Sequence, residues 1–138
     1  MKQLLSLSFA LMVMLGSLSC EAQTNKKQAK ANVATKVEVY YFHFTRRCHT
    51  CETVEEESKK AVEALYPEQV KKGTITFQAL NLDDESSKKI AEKLKVSGQS
   101  LLVVKGGKQI DLTDKAFMYA TTTPDKLKAE IKKAIESL

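Results

Sequence analysis

Apolar residues fall along this chain in short runs whose spacing changes from two to between three and four, and the changes mark out secondary structure. Val37 to Phe44 (Val-Glu-Val-Tyr-Tyr-Phe-His-Phe) is β-branched and aromatic and apolar on both faces, which predicts a strand in the middle of a sheet covered on both sides. Glu52 to Tyr66 places Val54, Ala61, Val62 and Leu65 on one side, with Ser58 between them, and predicts a helix that Pro67 ends. Gly73 marks a turn, and Thr74 to Leu80 alternates polar and apolar as a second strand. Asn81 to Asp84 offers helix caps for a short helix over Ser86–Lys95, with Ile90, Ala91 and Leu94 inward. Val96 to Ser100 reads as a loop. Leu101 to Val104 is a third strand, and Gly106-Gly107 turns the chain back into a fourth, Lys108–Leu112. Asp111 to Thr123 reads as a loop on the active-site side carrying Phe117, Met118 and Tyr119, either packed on the last helix or offered to a partner. Thr123-Pro124 opens the last helix, whose stripe is Leu127, Ile131, Ala134, Ile135 and Leu138.

The order β-α-β-α-β-β-α predicts an α/β domain. Two strands joined through a crossover helix run parallel, the last two form an antiparallel hairpin, and helices cover both faces of a mixed four-stranded sheet.

The N-terminal segment breaks this pattern. Lys2 is followed by an almost unbroken apolar run, Leu4 to Leu18, then by small residues and a polar start at Glu21. That is the layout of a secretory signal peptide over residues 1–22, and the run is short of the roughly 20 residues of a membrane span. Two endings fit. Cleavage before Gln23 leaves a soluble exported protein. Ser17-Leu18-Ser19-Cys20 resembles a bacterial lipoprotein signal, with Ser17 where leucine is usual, and would leave Cys20 lipidated as the one membrane anchor. Either places the protein outside the cytosol, in a bacterial periplasm or tethered to a membrane. Residues 23–36, rich in Lys, Gln, Asn and Ala, read as a flexible linker to a domain spanning 37–138.

Charge changes the picture little. Twenty-two Lys and Arg against 17 Asp and Glu give a net charge of +5, carried by scattered lysines rather than a basic stripe interleaved with aromatics. Nucleic acid is therefore not an expected partner. The acidic run Glu52, Glu55, Glu56, Glu57 followed by Lys59-Lys60 suits a helix dipole and a solvated face.

Cysteine changes it most. Of three cysteines, Cys20 is either removed with the leader or lipidated and so is no free thiol, which leaves Cys48 and Cys51 in Arg46-Arg47-Cys48-His49-Thr50-Cys51, where a strand hands over to a helix. A Cys-x-x-Cys in that position is a redox signature. A sulfur at a helix N-terminus is stabilised as thiolate by unpaired N–H groups and the positive end of the dipole, and the thiolate is the nucleophile. Arg46 and Arg47 add positive charge beside Cys48. His43 reads as a partly buried strand-end histidine, or alternatively as a proton carrier or ligand near the cysteines.

From Val37 to Leu138 the chain resembles the thioredoxin superfamily. The likeness rests on the apolar strand ending in Arg47-Cys48-His49-Thr50-Cys51, on Ile75 to Leu82 followed by an acidic pair and a lysine-rich helix, and on Val96-Ser97-Gly98 before an apolar strand and a Gly-Gly hairpin. The resemblance implies a minimal thioredoxin-like three-layer fold without the extra N-terminal strand and helix. It implies that Cys48 is the exposed attacking thiol and Cys51 the buried resolving one, and that no cofactor is needed. A protonated His49 would stabilise the Cys48 thiolate and move the couple toward the oxidising end. The partners implied are protein or small-molecule disulfides and thiols, together with a redox partner protein.

Three departures stand out. Arg47 replaces the usual aromatic residue before the first cysteine. The buried aspartate beneath the cysteines gives way to Phe42 or its neighbour. The substrate-binding cis-proline gives way to Gln99-Ser100, with Ser100 the matching residue and a trans peptide expected there. The last departure leaves open a soft-metal or metalloid site on Cys48, Cys51 and His49 (or His43), which would need a further ligand to close. A redox-inert interaction domain with a static disulfide is the third reading.

Overall fold

The computed structural model describes residues 36–138. The expected leader over 1–22, with Cys20, and the expected linker up to residue 35 lie outside the described residues.

Strand β1 (Val37–His43) is followed by helix α1 (His49–Leu65), a short helix α2 (Pro67–Lys71), β2 (Ile75–Asn81) and α3 (Glu85–Lys93). The hairpin β3 (Ser100–Lys105) and β4 (Lys108–Asp111) comes next, then α4 (Thr113–Tyr119) and α5 (Pro124–Ser137). The sheet order is β2-β1-β3-β4. Strand β1 runs parallel to β2 and antiparallel to β3, and β3 is antiparallel to β4. This is the expected mixed four-stranded sheet with helices on both faces, and it is the thioredoxin-like arrangement.

β1 lies in the interior of the sheet, as its two-sided apolar pattern requires. Alternation sorts its side chains into two cores. Val37, Val39 and Tyr41 pack with Val54, Ala61 and Val62 of α1 and with Leu127, Ile131, Ala134 and Ile135 of α5. Tyr40 and Phe42 point the other way and pack with Leu102, Val104 and Ala91 of α3. The first core is the larger, and through it α5 backs the helix that carries the cysteines. Gly106 and Gly107 both adopt positive φ, 56° and 84°, which the two-residue turn between β3 and β4 demands and which only glycine adopts without strain.

The elements depart from the sequence pattern in three places. Helix α1 begins at His49, three residues before the expected start at Glu52, so Cys51 lies within its first turn. Apolar spacing could not mark this start, because the first turn carries only one buried side chain and that one is a cysteine. Pro67 does stop α1, yet it also occupies the first position of α2, where its missing N–H costs nothing. Asp111 to Thr123 is not a loop. It contains α4, a two-turn helix with Ala116 buried and Phe117 and Tyr119 packed against the larger core, while Met118 is 60% exposed. Packing is thus what most of this segment does. Its helix is too short to show a period.

Candidate active site

β1 delivers the chain to the C-terminal edge of the sheet, and residues 44–47 carry it across to α1. Polar contacts with the β2–α3 turn pin this loop. Thr45 N donates to Asp83 Oδ2 at 2.8 Å, Asn81 Nδ2 donates to Thr45 Oγ1 at 2.9 Å, and Asp83 N donates to Asn81 Oδ1 at 3.0 Å. The bonds from Thr45 hold the Asp83 carboxyl below the usual carboxylate range.

Cys48 is the N-cap residue of α1, with extended backbone (φ −87°, ψ 163°). Its carbonyl accepts from Glu52 N at 3.1 Å, the first bond of the helix, and its sulfur accepts from Cys51 N at 3.4 Å. Sγ therefore stands where a capping serine or aspartate would place its oxygen. Cys48 is exposed and Cys51 is buried at 5% exposure. The two are joined in a disulfide with Cα atoms 5.2 Å apart. When that bond is reduced, a thiolate at position 48 retains the backbone donor and the helix dipole as its stabilisers, and water reaches it. Cys51 has neither access nor cap, which suits a group that acts second.

Below the pair lies Tyr41, fully buried, whose hydroxyl donates to the Cys51 carbonyl at 2.9 Å. Burial is the main cause that pushes this phenol up to about 12, so it is a neutral donor throughout the physiological range. The buried place beneath the cysteines thus belongs to Tyr41, the neighbour of Phe42. Phe42 itself faces the other core. Parity along β1 carried the signal, because Tyr41 shares a face with Val37 and Val39, the face on which α1 packs.

Arg47, half-buried, forms an ion pair with Glu55, which stands one helical turn beyond Cys51. Glu55 is a site neighbour that helical spacing alone assigns to a solvated face. Arg46 is exposed. His49 occupies the first helical position, also exposed, and its carbonyl accepts from Thr53 Oγ1 at 3.0 Å. His43 is half-buried at the end of β1, stacked on Tyr41 with ring centroids 6.0 Å apart, and its Nδ1 lies 3.0 Å from the Phe44 carbonyl. That is a packed strand-end histidine. Among the described residues, no group of three His, Cys, Asp or Glu converges as a metal-holding cluster.

The loop before β3 completes the site. Gln99 Oε1 lies 3.5 Å from Cys51 Sγ, within reach of a Cys51 thiol donor in the reduced protein. Ser100 instead turns back, its hydroxyl donating to the Gly98 carbonyl at 3.0 Å, and it pairs with Phe42 across the ladder. No peptide among the described residues is cis, so the bond between Gln99 and Ser100 is trans, as the absence of proline predicts.

Fold and site together define the class: a thioredoxin-like fold whose Cys-x-x-Cys disulfide caps the helix after the first strand, an arrangement consistent with oxidoreductase activity. One solved structure agrees at the level of the fold, and two others are similar at a lower score. Thioredoxin O2 from Arabidopsis thaliana in its oxidised state superposes with a TM-score of 0.51 at 17% identity, over 77% of this chain and 85% of that one. Mitochondrial thioredoxin 3 from Saccharomyces cerevisiae, also oxidised, gives 0.46 at 21% identity over 79% and 85%. Fasciola hepatica thioredoxin gives 0.46 at 20% over 78% and 88%. No protein-family profile and no curated protein matches the sequence.

Proposed function

We propose that this chain is an exported thiol–disulfide oxidoreductase that exchanges disulfides with protein or small thiol partners through Cys48 and Cys51. The observation that carries the reading is an exposed cysteine capping a helix and bonded to a buried one. In the reductive direction the Cys48 thiolate attacks one sulfur of a substrate disulfide. A Cys48–substrate bond forms and the other substrate sulfur leaves as a thiolate. Cys51, once deprotonated, attacks Cys48 Sγ, forms the intramolecular disulfide and expels the second substrate thiolate. Two electrons pass from the dithiol to the substrate, and the two protons end on the product thiols. The oxidative direction is the reverse. His49 and Arg46 tune the Cys48 thiolate, together with Arg47 as far as its ion pair with Glu55 leaves its charge free, and Gln99 and Ser100 border the position the substrate chain would take.

The test is the pH dependence of Cys48 alkylation in the reduced protein. We expect a midpoint well below the ~8.5 of an ordinary thiol. A midpoint at that ordinary value would overturn the reading. Export rests on the leader-like pattern of residues 1–22, and the intact mass of the protein from its native host tests it. A chain starting at Gln23, or at a lipidated Cys20, is expected; the full-length mass would refute export.

A further inference from the structure

Among the described residues, Glu55 is the acidic side chain tied directly to the cationic approach to Cys48, and this changes what Arg47 can do. A guanidinium next to the attacking cysteine favours thiolate when it is free. Here it is bonded to the Glu55 carboxylate, and both side chains are only about a quarter exposed (25% and 28%), so solvent screens the pair incompletely. Arg47 directly precedes the N-cap Cys48, and Glu55 stands one turn beyond Cys51 on α1, so the ion pair spans the start of the helix that Cys48 caps. Burial is the main influence on the Tyr41 hydroxyl, which is bonded to the Cys51 carbonyl; the guanidinium lowers its proton affinity and the Glu55 carboxylate raises it. The other charged groups at this edge are placed differently. Arg46, His49 and Glu52 are exposed to solvent, and Asp83 is committed to Thr45.

We propose that Glu55 is a positioning residue that sets the redox poise of the Cys48–Cys51 couple by neutralising Arg47. Resting on the oxidoreductase reading above, the inference names the group that tunes that site. The wild-type pair contributes no net charge near Cys48. Glu55→Gln leaves one positive charge there, stabilising the thiolate and hence the reduced form. Arg47→Gln leaves one negative charge, with the opposite effect. In the double variant the net charge returns to zero.

The experiment measures, for wild type and the three variants, the Cys48 alkylation midpoint and the equilibrium constant of the couple with glutathione. Glu55→Gln is expected to lower the midpoint by about one unit. It should also shift the couple toward its reduced form by about tenfold, roughly 30 mV more oxidising. Arg47→Gln should move both readings the other way, and the double variant should lie within about threefold of wild type. A purely structural pair predicts otherwise, because loosening the loop shifts both single variants in the same direction and the double variant at least as far. That result, or no shift in Glu55→Gln, overturns the inference. Failure of the broader reading looks different: the wild-type midpoint is then ordinary, whereas here it stays depressed and does not respond to Glu55.

Discussion

Cys48→Ser is expected to lose disulfide exchange by on the order of a thousandfold or more, and Cys51→Ser is expected to accumulate a covalent complex with the substrate instead. The asymmetry follows from where the two sulfurs stand. A serine hydroxyl at position 48 would still cap α1, so the fold survives, but it is not ionised near neutral pH and cannot displace a sulfur. With Cys48 intact and Cys51 replaced, the first displacement proceeds and the second has no nucleophile, so the mixed disulfide persists until an external thiol resolves it. Non-reducing electrophoresis after mixing with a disulfide-bonded protein reads both outcomes. Equal trapping by the two variants would mean that exposure and capping do not decide which sulfur attacks first. Exchange surviving in Cys48→Ser would remove the Cys48–Cys51 pair from the chemistry.

How far the chain could be read without coordinates depended on whether a residue's role was written in its neighbours. β1 was legible because eight consecutive positions carry a two-sided apolar pattern, and its central place in the sheet follows from that pattern alone. The cysteine pair was legible because its spacing and its position between strand and helix are local. The start of α1 was not, since hydrogen bonding to the Cys48 carbonyl and sulfur fixes it rather than any apolar period. α4 was missed for a related reason: in two turns, Ala116, Phe117 and Tyr119 turn inward by packing against elements distant in sequence. Tyr41 and Glu55 are the harder cases. Each meets the site through a contact that the fold alone creates: Tyr41 lies ten residues from the carbonyl it binds, and Glu55 eight from Arg47. Gln99 was legible only through the resemblance, which put it at the substrate-binding position; its approach to Cys51, forty-eight residues away, comes from the fold. Among acidic residues at helical spacing, a functional glutamate and a solvated one look identical until the arginine is placed beside one of them.

The support beneath the site can be separated from its chemistry by Leu127→Ala. Leu127 is fully buried on α5, in the core that α5 shares with α1 and β1, and it makes no polar contact with the cysteines. Removing its branched end leaves a cavity that close-packed neighbours fill only in part, at a cost of about 2–5 kcal/mol. Set against a typical total of about 5–15 kcal/mol, that is a large fraction of the stability of a domain this size. The thermal midpoint should fall by about 4–8 °C for each kcal/mol lost. Denaturant titration of the oxidised protein measures the loss, and alkylation of the reduced, still-folded variant measures what happens to Cys48. The stabilisation of the thiolate is local, arising from one N–H donor, the helix dipole and nearby charges, so the alkylation midpoint should stay at the wild-type value while the denaturation midpoint falls. A cost below about 1 kcal/mol would show that α5 does not back α1 as its packing implies. A parallel shift in the Cys48 midpoint would show that the cap depends on the depth of the core, and that α1 is held in register from behind rather than by its own first turn.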